Sequence, residues 1–481
     1  MARVLLSYYS DYGEAMYDAI SDTLRQNGND IFRLNINCPK VYITKWGGES
    51  QVVEESLLAD IKRFNPDVVF NFNNCLPINC YAILEESCKI CIIDADAPSV
   101  AFWNVDAIKK HFNRVFFLGL QSCSKRMYED FIGFGIELSS KKYLYFPPAT
   151  VVKNCKLKQD KNISFIGSNF YPLSIPEGED FYGEVGLQLF DAFKKNYFLT
   201  LPQVQKICAG RCSSPEWMME KVRAYYAGQD RLKYMQQLTD LGFTFYGVRW
   251  WNKIAYYDFE LAKCFDPTPK TTIEENQWVY NTSKISVNFS HPLARSSFSW
   301  RVMDIMASNS CLLMEDKPDW HELFDKYLSQ ETLETVIYSD RFDMRDKAIR
   351  LLNDESLRLR CVKDLNNAIE RNGRWELRFR VLGEFLGINF LKLKNNHPTY
   401  IVVSRESGKI TKFDEGTAKP EEKSSNKLAG DVKLKYRNFK NKYKLMFYLF
   451  ICFFAQIPPF SLFYKDRDRV RFLKKINKWW W

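Results

Sequence analysis

Four short stretches of the chain bring together side chains that could do chemistry, and each follows a run with strand character. They are Ser10-Asp11-Tyr12-Gly13, Asp94-Ala95-Asp96-Ala97-Pro98-Ser99, Gly167-Ser168-Asn169, and Ser290-His291-Pro292 followed by Arg295, Arg301 and Asp304. In open α/β sheets the carboxyl ends of the strands line the ligand crevice, so residues just after strands are the first candidates. Any one stretch alone reads as turn or cap chemistry, because Ser, Asp, Asn and Gly favour turns whatever their function. Four on matching ends of two sheets would give a cleft with acids on one wall and basic groups on the other. Asp11, Asp94 and Asp96 are then candidates for a general base.

The elements that must position these residues can be read from the pattern. Over the first 150 residues strand-like runs alternate with helical spacing: Arg3–Tyr8, Asp30–Leu34, Asp67–Phe72, Lys89–Asp94, Arg114–Leu118 and Tyr143–Phe146 as strands, with helices at Tyr12–Gln26, Glu54–Phe64, Tyr81–Ser87 and Lys125–Phe131 between them. Strands separated by helices demand crossover connections and hence a mostly parallel, helix-covered sheet. A second series begins at Asn162–Gly167, is mainly helical from Leu187 to Leu241, and continues with strands at Phe243–Tyr246, Ile285–Phe289, Cys311–Met314 and Thr335–Tyr338. A helix is expected at Trp300–Ala307, and helical pattern dominates from Arg345 to Gly387. The fold class is therefore α/β, with two Rossmann-like domains facing a cleft. The expected divisions are 1–155, 156–403, a flexible Lys/Glu/Ser/Gly-rich linker at 404–432 and a tail at 433–481.

The 481 residues carry a net charge of +10, but residues 425–481 alone hold 14 Lys/Arg against three Asp, which leaves the other 424 at −1. A near-neutral body argues against a broad nucleic-acid-binding face, and no nucleic-acid partner is expected. In the tail, Leu445–Tyr464 is a run of 20 uncharged residues, interrupted by Pro458-Pro459 and flanked by basic segments on both sides. A true span prefers its Lys/Arg on one side only. A monotopic or peripheral anchor on anionic lipid, at the cytoplasmic face, fits both flanks, with Trp479–Trp481 at the headgroups. A single span and a buried core helix are the competing readings.

Thirteen Cys behind an N-terminus without a secretory signal read as reduced thiols. Cys88 and Cys91 form a C-x-x-C preceded by Cys75 and Cys80, but Cys91 falls inside the apolar run KICIID, which favours buried structural Cys over a metal site. The chain has no G-x-x-x-x-G-K-[ST], no G-x-G-x-x-G after a strand, no H-E-x-x-H and no G-x-S-x-G, and its four His, at 111, 291, 321 and 397, are dispersed. P-loop, zincin and hydrolase chemistries are disfavoured. A nucleotide-dependent oxidoreductase lacks its glycine fingerprint.

The segment Tyr280–Phe324, YNTSKISVNFSHPLARSSFSWRVMDIMASNSCLLMEDKPDWHELF, is the most specific. Its N-x-S-K-I-x-x-N strand, Ser/Phe-rich loop, R-V-x-D helix, L-L strand and D-x-x-E-L-F helix resemble the donor-binding segment of CgeB-like (spore-maturation-type) glycosyltransferases of the GT-B superfamily, with a C-terminal domain like that of group 1 glycosyl transferases. The resemblance extends diffusely over residues 1–390. It implies a nucleotide-sugar donor held by the second domain and an acceptor on the first; a lipid-linked or cell-surface glycan acceptor would explain the anchor. On that reading Arg301 neutralises the donor diphosphate with help from the amides at its helix start, and Asp304, one turn on, accepts ribose hydroxyls. Gly167 and Ser168 let the diphosphate approach the backbone, and His291 and Arg295 complete the donor wall. No cofactor or metal is required, although Asp94-Ala95-Asp96 also matches D-x-D. Many retaining relatives carry two Glu eight positions apart here, whereas this chain has Ser296 and Asp304. The stereochemistry is open, and a membrane-tethered binding module without turnover is the alternative.

Overall fold

A computed structural model of the chain describes residues 1–10, 13–43, 51–94, 105–120, 131–132, 135–168, 184–196, 199–211, 215–247, 251, 258–290, 294, 296–395 and 397–413. Its strands in chain order are β1 (Arg3–Tyr8), β2 (Asp30–Asn35), β3 (Val41–Ile43), β4 (Gln51–Val53), β5 (Val68–Phe72), β6 (Lys89–Asp94), β7 (Val115–Gly119), β8 (Tyr143–Tyr145), β9 (Lys161–Ile166), β10 (Phe243–Tyr246), β11 (Phe265–Asp266), β12 (Ser283–Val287), β13 (Cys311–Glu315), β14 (Ile337–Tyr338), β15 (Tyr400–Val403) and β16 (Ile410–Phe413). The first sheet has the order β16-β15-β2-β1-β5-β6-β7-β8, and the second β11-β10-β9-β12-β13-β14. The pairings in both sheets are parallel except β15 with β16. A parallel sheet is covered on both faces, so its strands are apolar runs rather than alternations. That is why RVLLSY, DIFRLN, VVFNF and KICIID are buried almost throughout.

One face of the first sheet buries Leu5, Phe32, Val69 and Ile92 under the Glu55–Phe64 helix. The other buries Val4, Leu6, Phe70 and Ile93 together with Trp375, Phe379, Leu382 and Leu386 of the Trp375–Leu386 helix. The second sheet has its own core, built with the Ile273–Thr282, Arg301–Met306 and Glu355–Asn372 helices. Between β9 and β10 the helices Glu184–Lys195, Leu201–Cys208 and Pro215–Gln236 enclose a small satellite core around Leu189, Leu201 and Met219.

The chain returns to the first sheet. Helix Trp375–Leu386 packs on it, β15 adds beside β2 in parallel, and β16 closes the edge. The expected boundary at 403 therefore falls inside a hairpin, and the segment at 404–432 begins with structure: the N–H of Ser404 donates to the Lys409 carbonyl (2.8 Å) and Ile410–Phe413 pairs with β15. Short edge strands paired with residues some 370 positions away leave no local signature.

Two further expectations change. Tyr81–Ser87 is not a helix; a four-residue turn of helix at Ile78–Tyr81 precedes turns closed by Ile83 N–H to Cys80 O and Cys88 N–H to Glu85 O. Thr335 and Val336 end a helix, Gln330–Val336, whose start is capped by the Ser329 side chain, leaving only Ile337–Tyr338 as strand. The helix expected at Lys125–Phe131 falls almost wholly on residues outside those described, as does the whole tail. Among the described residues no helix is long and apolar enough to cross a membrane. Cys75, Cys80, Cys88 and Cys91 are buried, and burial pushes the Cys80 and Cys88 thiols up to about 12.

Candidate active site

On the first wall, the residues after β1 are held by polar side chains of β2. Asn35 Oδ1 accepts from the Ser10 and Asn37 N–H groups (3.2 and 3.0 Å), and its Nδ2 donates to Ser10 O (3.1 Å) and Glu14 Oε1 (2.8 Å). Glu14 Oε2 also receives Arg33 Nη2 (2.6 Å) and the Tyr8 hydroxyl (2.8 Å). Arg33 is only 3% exposed and bonds Asp18 and Tyr400 as well. A buried guanidinium needs paired charge, and the two carboxylates supply it to the Arg33 Nη groups, so this cluster fixes where the post-β1 loop starts. Asp11 lies in that loop and Asp96 follows β6; both are outside the described residues. Asp94 ends β6 opposite Gly119 and is fully buried.

On the second wall, Gly167 follows β9. A Cβ there would stand 2.3 Å from Phe165 Cζ, and its carbonyl accepts the Trp251 indole N–H at 2.7 Å. Gly247 is equally crowded, with a Cβ position 2.3 Å from Gly167 O. These glycines allow two strand ends and an indole to pack at backbone distance. The neighbouring loops are tied by Arg231, which reaches in from the Pro215–Gln236 helix. Its guanidinium donates to the carbonyls of Ser168, Phe289 (2.6 Å) and Ser290 (3.2 Å) and lies over the Phe165 ring. Ser290 N–H donates to Glu315 Oε1 (2.9 Å), and the Tyr338 hydroxyl donates to Glu315 Oε2 (3.1 Å) and Asn288 O (2.9 Å). The residues following β9, β12 and β13 are thus one connected frame. His291 and Arg295 lie outside the described residues.

Sequence reasoning missed Arg231, Glu315 and Tyr338. Glu315 was findable, since it ends a strand in the segment LLMED. Arg231 was not, because a helical arginine gives no sign of carbonyl partners some 60 residues away.

Arg301 and Asp304 stand deeper, where the domains join. Asp304 Oδ1 accepts the hydroxyl of Thr150 at 2.6 Å, and Thr150 belongs to the first crossing between domains. The second crossing lies alongside: Thr150 N–H donates to Gly373 O (2.9 Å), and Arg374 Nη1 donates to Val152 O (2.6 Å). Burial drives the Asp304 carboxyl up to about 7, against the opposing pull of Thr150, Arg301 and Arg374. Arg301 is held below its ordinary range by burial, and among the described residues its Nε and the Tyr280 hydroxyl have no hydrogen-bond partner. A recess beside them is lined by Met16, Thr150, Ile273, Trp300, Asp304 and Trp375. The helix carrying the pair therefore braces the hinge, with its carboxylate turned to Thr150.

The two walls also meet directly. Ser297 Oγ donates to Leu120 O (2.7 Å), joining the post-β12 loop to the end of β7. A Cβ on Gly13 would come within 2.7 Å of the Thr271 carbonyl oxygen. Gly13→Val is expected to force the walls apart at this point. A loss of about 1–3 kcal/mol in stability and a larger radius of gyration in solution scattering would report it.

Residues 223–384, a range that holds β10 to β14, match the family model described as glycosyl transferase-like. Among solved structures, the chain is similar to the T4 phage BGT in complex with UDP and Mn2+, at 9% identity over 80% of this chain and 100% of that one, with a TM-score of 0.44. It is similar to an alpha-glucosyltransferase in complex with UDP-glucose and DNA, at 10% identity over 80% and 99%, with a TM-score of 0.44. A glycosyltransferase from Rickettsia africae gives 9% identity over 80% and 98%, with a TM-score of 0.40. No curated protein matches the chain.

Proposed function

We propose that the protein is a glycosyltransferase that moves a hexosyl group from a nucleotide-sugar donor to a lipid-linked or cell-surface glycan acceptor. The observation that carries this reading is the match over residues 223–384, which contains the Tyr280–Phe324 segment most similar to a donor-binding unit. The Arg231 frame would present the carbonyl-rich ends of β9 and β12 in fixed positions, and His291 and Arg295 would supply the donor contacts. In the reaction the acceptor hydroxyl attacks the anomeric carbon, the bond to the diphosphate oxygen breaks, and a nucleoside diphosphate leaves. Cationic groups at the leaving oxygen lower that barrier. Asp11, Asp94 or Asp96 would take the acceptor proton; of these, Asp94 is buried as the residues stand, which favours the two that follow the strands. The nucleotide sugar is a co-substrate, and the reading assigns no cofactor. We place the protein on the cytoplasmic face of a membrane, peripheral or monotopic through residues 433–481.

The test is the full chain against UDP-, GDP-, ADP- and CMP-sugars, recording thermal stabilisation and slow donor hydrolysis, with Arg295→Ala and Asp11→Asn alongside. One nucleotide class is expected to stabilise the protein and be hydrolysed. Arg295→Ala should lose about 10²–10³-fold in turnover, and Asp11→Asn should keep donor binding. A folded protein indifferent to all four classes would reject the reading.

A further inference from the structure

One face of the second domain carries an exposed tryptophan among lysines. Trp278, in the Ile273–Thr282 helix, is 46% exposed, although tryptophan on a helix packed against a sheet is ordinarily core. The Lys161 ammonium stands 4.1 Å from its ring centroid and that of Lys270 5.5 Å. Alongside runs the segment 153–161, in which Lys153, Lys156 and Lys158 are exposed and Leu157 is 39% exposed. Among the described residues, the ammonium groups of Lys153, Lys156 and Lys158 make no hydrogen bond. The acids on this face are Asp160, held by Lys161 at 2.7 Å, the exposed Glu274, and Asp266, which neighbours Tyr246 together with Asp160 and Lys270.

The segment is not a loose loop. Lys153 N–H donates to Gln277 Oε1 (2.8 Å), Cys155 N–H to Asn281 Oδ1 (2.8 Å), and Asn281 Nδ2 back to Lys153 O (3.0 Å). Gln159 Nε2 reaches the carbonyls of Ser283 (2.9 Å) and Asn309 (2.6 Å). Asn154 closes a turn onto Lys156 N–H (2.9 Å), and Lys156 takes a left-handed backbone, φ 49°. A non-glycine residue in that region is uncommon. The backbone is thus fixed by side-chain amides while Lys153, Lys156, Leu157 and Lys158 stand exposed.

We propose that this face docks on an anionic lipid surface, as a second membrane contact made by the folded body itself. An indole and a leucine placed between ammonium groups match the bilayer interface, where the rings enter the headgroup layer and the lysines meet phosphates. Nucleic acid is a poorer fit. Among the described residues the face has no guanidinium fork for bidentate phosphate contact, and the Trp278 ring is already flanked on two sides by ammonium groups. The proposal stands apart from the catalytic reading and from the 433–481 tail, since it concerns only residues 153–161, 270 and 278.

The test uses the full chain with vesicles of phosphatidylcholine alone or with phosphatidylglycerol, at matched lipid, and a DNA duplex at matched phosphate. Hydrogen exchange reads the peptides covering 153–161 and 273–282. Protection of both on the anionic vesicles, lost at high salt and absent on neutral vesicles, is expected. Lys153→Gln/Lys158→Gln should weaken partitioning roughly thirtyfold at two lysines' worth of surface attraction. Trp278→Ala should weaken it at low salt; both variants change exposed side chains and leave the fold intact. Failure to bind anionic vesicles, binding without protection of these two peptides, or stronger protection by DNA than by vesicles would each overturn the proposal.

Discussion

Arg231→Met is expected to unfold at a midpoint about 8–15 °C below the unaltered protein, the largest effect of any single change considered. The guanidinium is 3% exposed and satisfies the Ser168, Phe289 and Ser290 carbonyls at once. Methionine fills the volume but donates nothing. Each abandoned buried carbonyl costs about 1–3 kcal/mol, and hydrogen bonds from a charged donor lie at the upper end. A total of about 3–5 kcal/mol follows, and for a unit of this size each kcal/mol shifts the midpoint by about 2–4 °C. Arg231→Lys should recover part of the loss, because a single ammonium cannot span carbonyls on two different loops. The same frame holds the residues after β9 and β12, so nucleotide-sugar stabilisation should fall with the midpoint. A midpoint within 2 °C of the unaltered protein would show that the loops hold without it.

Asp304→Asn is expected to do the opposite at neutral pH. The folded carboxyl titrates at about 7 because burial opposes its charge, whereas an unfolded aspartate titrates near 4. Between roughly pH 4 and 7 the unfolded chain loses this proton and the folded chain keeps it, so the contribution of Asp304 to stability declines through that window and is level above it. Asparagine has no proton to lose, and its amide oxygen still accepts from Thr150. The variant should therefore gain on the unaltered protein from pH 5 to 7 and hold a lead of about 2–4 kcal/mol at pH 8. Denaturant unfolding of both proteins at pH 5, 6, 7 and 8 measures this, since all other titrating groups cancel in the difference. A constant difference across the series would show that the Asp304 proton is not linked to folding. If the carboxylate also serves the donor, the stabler variant will be the slower enzyme, as expected where a site retains a group that costs stability.

What could be read in advance divides along a physical line. β1, β6 and β10 lie within the residues expected, because buried parallel strands are unbroken apolar runs and such runs are local. Strand ends could be named for the same reason, and with them Gly167, Ser168 and Asp94. Partners could not. That Asp304 turns to Thr150 rather than outward depends on a residue 154 positions away. Arg231 looked like one more polar position on a long helix until its carbonyls were placed. Trp278 stands at the surface, which only the surrounding geometry shows. Asp11, Asp96, His291, Arg295 and the tail lie outside the described residues, so their roles rest on the proposal and its test.

The return of β15 and β16 to the first sheet has a consequence for the order of assembly. The second sheet and the helices through Asn372 are contiguous in the chain, whereas the first sheet leaves the flank of β2 bare until residues 400–413 arrive. During synthesis the amino-terminal half is made first yet finished last. An unpaired edge beside fully apolar strands is a template for wrong pairing. Chains halted on the ribosome before residue 400 should therefore display a protease-sensitive first half and an already resistant second, with protection of the first appearing only when the last hairpin has emerged.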